Sequence, residues 1–138
     1  AVLPAMLAAG SGSIVSLSSI SGVRGTPRRA VYAMSKAAID GMTRALAMEY
    51  GPRGIRATAV APGVVPTALW VENLAKPGVT DAVLATIPIR RLTEAEEIAD
   101  VVTFLASDAS RAITGETISA DGGMHATLNL YPTVYRRE

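Results

Sequence analysis

The chain has 138 residues, 49% of them apolar, with 13 Lys and Arg against 12 Asp and Glu, one histidine and no cysteine. That length supports one domain with a real core, and that apolar content excludes a disordered chain. The near-neutral balance, with its arginine doublets scattered at 28–29, 90–91 and 136–137, excludes a nucleic-acid-binding stripe; the lack of cysteine excludes disulfides and thiolate chemistry, and lone His125 excludes a structural zinc site.

The uncharged opening, Ala1 to Val23, is broken by Pro4, glycines and serines into two short apolar pieces. A bilayer span wants about 20 mainly apolar residues and a signal peptide wants a positive start, so neither a membrane helix nor a leader is read here. Ala1–Ala9 reads as a helix terminus closed at Gly10, with Pro4 marking a first turn or a kink. Ile14–Leu17 reads as a short strand, apolar on both sides as expected when both sheet faces are covered. A glycine-marked loop with Gly22, Gly25 and Pro27 follows and enters a long helix at about Val31.

That helix, Val31–Tyr50, is expected to end at Gly51-Pro52, with the glycine left-handed. Tyr32 and Lys36 sit four apart, on the same face one turn from each other. A free phenol is a poor base at neutral pH, and a neighbouring cation favours its phenolate form. Ser19, at the end of the preceding strand, adds a hydroxyl that can hold a substrate oxygen against the phenol. The alternative for such a pair is a solvated helix face. Two stripes, Ala33-Ala37-Gly41-Ala45 and Met34-Ala38-Met42-Leu46, are expected to be buried on two sides, one against the sheet and the other against another helix.

Ile55–Ala61 is a second strand, stopped by Pro62-Gly63. Ligands of a doubly wound sheet lie outside the carboxyl ends of its strands, which groups Ser19 with Pro62-Gly63 around one crevice. Beyond it, Thr67–Thr86 is less regular, with an apolar stripe through Trp70 and Leu74, an interruption at Pro77-Gly78 and a second helical piece at Val79–Ile87. Thr93-Glu94-Ala95-Glu96 reads as a capping box with Thr93 as N-cap, opening a helix whose apolar face holds Ala95, Ile98, Ala99, Val102, Leu105 and Ala106. Glu116–Ala120 is a third strand and Asp121-Gly122-Gly123 a turn; one carboxylate there is no metal cage. The tail from 124 to 138, with Leu128, Leu130, Tyr131, Val134 and Tyr135, is too apolar for a pure linker.

Tyr32-Ala33-Met34-Ser35-Lys36, with Ser19 thirteen residues earlier, resembles the catalytic core of the short-chain dehydrogenase/reductase family. Gly12–Ser19 resembles that family's fifth strand, Gly54–Gly63 its sixth strand and proline-glycine exit, and Thr114-Gly115-Glu116 through Gly123 its last strand. The resemblance weakens after about Met124. Nothing in residues 1–12 supplies the family's glycine-rich turn for a dinucleotide pyrophosphate, nor its catalytic asparagine, so the sequence reads as the C-terminal half of such an enzyme.

The resemblance implies an α/β fold, a Rossmann-like doubly wound parallel sheet of about three strands with flanking helices, forming one part-domain over 1–138. It implies hydride transfer between NAD or NADP and a carbonyl or secondary alcohol, with Ser19, Tyr32 and Lys36 catalytic. Tyr32, Lys36, Pro62, Gly63, Val65 and Thr67 are the implied cofactor contacts. Ser19, Ile20, Ser21, Trp70 and Leu74 are the first substrate-pocket candidates, with Val71, Leu84 and Ile87 behind them, and 67–90 is the implied substrate lid. For Thr67 the alternative is an ordinary N-cap, and for each lid residue it is packing without substrate contact. A homodimer or homotetramer through helix 31–50 and a cytoplasmic location are expected, with no metal, membrane or nucleic-acid partner. The other class of reading is a truncated, catalytically incompetent fragment or an interaction module.

Overall fold

The computed structural model describes residues 2–126. In chain order its elements are α1 (Leu3–Ala9), β1 (Gly12–Leu17), α2 (Ile20–Val23), α3 (Ala30–Tyr50), β2 (Ile55–Pro62), α4 (Val71–Leu74), α5 (Val79–Thr86), α6 (Ala95–Ala106) and β3 (Thr117–Ala120), with single 3-10 turns at Gly51–Arg53 and Asp108–Ser110. The three strands form one parallel sheet in the order β1-β2-β3. All three therefore point their carboxyl ends to the same side, which is where Ser18-Ser19, Pro62-Gly63 and Asp121 leave the sheet. The architecture is a Rossmann-like parallel sheet with flanking helices. The residues 127–138, including Leu128, Leu130, Tyr131, Val134 and Tyr135, lie outside the described residues.

The register shows why helices lie on both faces. Val60 pairs with Ile118, and these two join Val15, Ile98, Val102 and Leu105 in the apolar core under α6. One residue away, Ala59 pairs with Thr117, whose hydroxyl donates to the Asp40 carboxylate of α3 at 3.1 Å. Since side chains alternate along a strand, α3 and α6 cover opposite faces. On the α3 side β2 presents Ala57, Ala59 and Ala61, all fully buried. Such small side chains let the helix come close, and they leave room for buried Asp40 and Thr43 beneath it.

That arrangement corrects the expected helix faces. The sheet side of α3 runs through Lys36, Asp40 and Thr43, while Met34, Ala37, Ala38, Met42 and Ala45 are exposed. Sequence periodicity identified which residues share a face; the alanine-lined strand decided which face turned inward. Val31 and Met34 are 75% and 66% exposed, so an apolar stripe on α3 stays uncovered by the described residues.

Two ends also differ from expectation. Gly51 is right-handed, and the chain runs one further 3-10 turn through Pro52 before reversing at Gly54, φ 79°. Proline suits the opening of such a turn, where its missing N–H costs no hydrogen bond, and the glycine stop moves three residues on. A Cβ at Gly54 would collide with the carbonyl oxygen of Gly10, itself left-handed at the end of α1, so these two glycines cross where β1 and β2 begin.

The N-cap of α6 is Glu94 and not Thr93. Glu97 accepts the Glu94 backbone N–H at 2.9 Å and receives both guanidinium nitrogens of Arg91 at 2.6 Å. The bidentate clamp sets the box one residue later, and Thr93 turns into the interior. The Arg91 hydrogen bonds, with the Glu94 N–H second, hold the Glu97 carboxyl down to about 2 from its ordinary value of 4.5. A carboxylate depressed by folding stabilises the fold above its unfolded value and loses that contribution as pH falls through the folded one. Thermal melts between about pH 5 and pH 2 should therefore fall more steeply for the native chain than for Glu97→Gln. Parallel curves would show that the clamp is not coupled to folding.

Candidate active site

Each functional group is delivered by a short local device. At the end of β1 the chain turns sharply, and Ser19 becomes the N-cap of α2: extended at φ −164°, its Oγ accepts the Ser21 N–H at 3.1 Å. The neighbouring Ser18 hydroxyl donates to the Lys36 carbonyl at 3.2 Å, tying the strand end to α3. Gly22 permits the approach of the two helices, because a Cβ there would lie 2.9 Å from the Ala37 backbone nitrogen and the Lys36 carbonyl carbon. Lys36 Nζ reaches back to donate to the Leu17 carbonyl at 2.9 Å. The ammonium is thereby anchored at the carboxyl end of β1, 5.7 Å from the centre of the Tyr32 ring.

Across the crevice, Gly63 backs onto Asp121, where a Cβ would meet the Asp121 Cβ at 2.8 Å; any side chain would push the two strand exits apart. Asp121 is buried and accepts the Gly123 N–H, the His125 N–H and a 2.9 Å contact from His125 Nδ1. A carboxylate with several donors is well satisfied, and it pins the turn after β3 beneath the Pro62-Gly63 exit. Thr67 is not a cap: its carbonyl accepts from Trp70 and Val71, while α4 is capped at Trp70. Its side chain is exposed at the mouth.

These elements enclose a cavity of about 690 Å³. Ser19, Ile20, Ser21, Tyr32, Lys36, Pro62, Gly63, Val65, Thr67 and Trp70 all line it. Leu74 does not; its carbonyl is taken by the Thr80 hydroxyl, which joins α4 to α5. Val71, Leu84 and Ile87 are also absent from the wall, and Ile87 is buried against Gly122 instead. Sequence reasoning missed Thr26, Arg29, Leu69, Val83 and Met124, together with the inner face of α6. Arg29 had a signal: it stands three residues before Tyr32 at the start of the same helix, although it reads as half of a scattered charge doublet. Its guanidinium lies 5.8 Å from the Tyr32 ring centre and 5.1 Å from that of Trp70.

The arrangement can hold an oxygen substrate and move one proton. Two cations flank the ring of a single phenol. The lower wall is apolar, supplied by Ile98, Ala99, Val102 and Val65. Among the described residues no group of three or more His, Cys, Asp or Glu could hold a metal ion, and no helix is long and apolar enough to cross a membrane.

A parallel Rossmann-like sheet with serine, tyrosine and lysine gathered at its strand ends defines a class of nucleotide-dependent oxidoreductase folds. Residues 1–125 match the family model described as enoyl-(acyl carrier protein) reductase, and the chain belongs to the short-chain dehydrogenase/reductase family. It is 43% identical over 123 residues to a 3-oxoacyl-[acyl-carrier-protein] reductase FabG of Thermotoga maritima, covering 89% of this chain and 49% of that protein. It is also 43% identical over 130 residues to a trans-4-hydroxycyclohexanecarboxylate dehydrogenase of Sinomonas cyclohexanicum, covering 94% and 47%. Among solved structures, a putative NAD(P)-dependent gluconate 5-dehydrogenase from Beutenbergia cavernae with bound NADP superposes at a TM-score of 0.86, with 40% identity over 90% of this chain and 50% of that one. The chain thus spans about half the length of the relatives it matches.

Proposed function

We propose that the protein carrying this chain transfers hydride between NAD or NADP and the carbonyl or secondary-alcohol carbon of a small molecule. One observation carries the reading: Ser19, Tyr32 and Lys36 meet the Pro62–Thr67 loop around a single cavity at the carboxyl ends of β1 and β2. The donor set suits a nicotinamide riboside. Lys36 and Tyr32 offer an ammonium and a phenol to ribose hydroxyls on one wall, and the Thr67 hydroxyl and the backbone near Val65 offer donors and acceptors for a carboxamide on the other. When bound, the dinucleotide supplies or accepts the hydride.

The remaining work falls to the chain's own residues. Ser19 Oγ orients and polarises the substrate oxygen by hydrogen bonding. In reduction the Tyr32 hydroxyl gives its proton to the oxygen as negative charge develops there; in oxidation the same phenol oxygen takes the alcohol proton. Lys36, fixed by the Leu17 carbonyl beside the Tyr32 ring, binds cofactor. The segment 67–90 acts as a lid through Trp70 and Val83, admitting substrate and then excluding water.

On this reading the 138 residues are the C-terminal half of the nucleotide-binding domain, and β1 is the edge along which the phosphate-binding half pairs. Its exposed backbone groups would otherwise invite aggregation. The uncovered stripe of Val31, Met34 and Met42 on α3 would be buried by a second copy, giving a dimer or tetramer. The test is absorbance at the reduced-nicotinamide band with a panel of ketones and secondary alcohols. The complete protein is expected to turn over NAD(P)H and the 138 residues alone to turn over none. Turnover by the chain alone would remove the half-domain reading, and silence from the complete protein over a broad panel would favour an interaction module instead.

A further inference from the structure

We propose that Arg29 receives a carboxylate of the substrate, so that the molecule reduced or oxidised beside Tyr32 is a small oxo or hydroxy acid; this rests on the dehydrogenase reading above. Three observations lead there. First, among the described residues Arg29 and Lys36 are the charged ones lining the cavity, and no Asp or Glu lines it. Second, the two cations differ in employment. Lys36 donates to the Leu17 carbonyl, whereas the Arg29 side chain makes no hydrogen bond or ion pair among the described residues and rests on two aromatic rings. A guanidinium lying over ring faces has its in-plane N–H groups free for a planar, bidentate acceptor, for which a carboxylate is the matching shape. Third, the position is specific. The guanidinium carbon is 5.8 Å from the Tyr32 ring centre, close enough for one small molecule to place a carboxylate on Arg29 and its reacting oxygen at the phenol.

The second ring belongs to Trp70, in the segment before α4, so the same guanidinium joins the catalytic helix to the lid. An anion bound there would be covered by the lid and held in a largely apolar cavity, where an ion pair is stronger than in water. Arg29 takes no part in bond making; the proton still passes through Tyr32 and the hydride still belongs to the nicotinamide. Its role is to select substrates by charge and fix which end of the molecule faces the phenol.

The experiment compares oxo acids with their neutral ethyl esters, for example acetoacetate against ethyl acetoacetate, in NAD(P)H consumption by the complete protein. The native enzyme should favour the acid in kcat/KM by at least about tenfold, mainly through KM, and Arg29→Gln should erase that ratio while Arg29→Lys keeps part of it. The ester is the internal reference for any general loss of activity. A ratio near one in the native enzyme, or one unmoved by Arg29→Gln, overturns the proposal, as does a variant whose loss lies in cofactor KM. A second readout separates the two layers of the argument: titration with malonate at constant ionic strength should change Trp70 fluorescence, taken as the difference from Trp70→Phe, and malonamide should not. A malonate response that Arg29→Gln abolishes, in a protein that turns over nothing, sustains the anion site and discards the dehydrogenase reading. Turnover without that response discards the anion site.

Discussion

Tyr32→Phe in the complete protein is expected to cut turnover by roughly 10²–10⁴-fold, the span over which a positioned proton donor contributes. The reason is local. Phenylalanine keeps the ring on which Arg29 rests and on which Lys36 approaches, so the cavity wall and both cations stay where they are. Only the oxygen that gives or takes the proton is removed. Binding of NAD(P)H, followed by the enhancement of its own fluorescence, should weaken by no more than about tenfold, the worth of one ribose hydrogen bond, and the larger loss should fall on kcat. A loss in cofactor affinity as large as the loss in turnover would mean that the phenol acts by holding the dinucleotide and not by proton transfer. A loss of less than tenfold would mean that another group moves the proton.

Gly22→Ala is expected to damage stability and turnover together. The added methyl has no empty space to enter: it meets the backbone nitrogen of Ala37 and the carbonyl carbon of Lys36 at 2.9 Å, and the Lys36 Cβ at 3.0 Å. Backbone cannot yield as a side-chain tip can, so α2 must lift from α3. Overpacking of this kind costs about 1–3 kcal/mol. The displacement is carried into the site because Ser19 caps α2 and Lys36 belongs to α3. Gly25→Ala is the matched control, with nothing within 4 Å of its new methyl. The expected result is a lower melting temperature and at least tenfold slower turnover for the first variant, and neither for the second, an order of magnitude being what a small misplacement of reacting groups costs. If both variants behave alike, the close approach at Gly22 does not govern the distance between the serine and the lysine.

The two substitutions probe different levels of the molecule, one a reacting atom and the other the packing that aims it. The stack of Arg29 on Trp70 adds a third level, in which the segment before α4 meets the start of α3 through a side chain outside the serine-tyrosine-lysine set.

What the sequence by itself determined was local. A spacing of four put Tyr32 and Lys36 on one face, the apolar runs Ile14–Leu17 and Ile55–Ala61 made strands, and Gly10 closed α1, because each outcome depends on neighbours within a turn or on alternation along one strand. The strand exits at Ser19 and Pro62-Gly63 were legible for the same reason, once a parallel sheet was assumed. Tertiary structure alone decided what depended on distant partners. Periodicity could not tell which face of α3 meets the sheet; the alanines of β2 and the hydroxyl of Thr117 drew Asp40 and Thr43 inward and left the methionines outside. The clamp of Arg91 on Glu97 moved the α6 cap from Thr93 to Glu94. Trp70 reached the cavity while Leu74 turned to α5, and Arg29 found Trp70 across the crevice, since the direction of a side chain in an irregular segment is set by whatever packs against it.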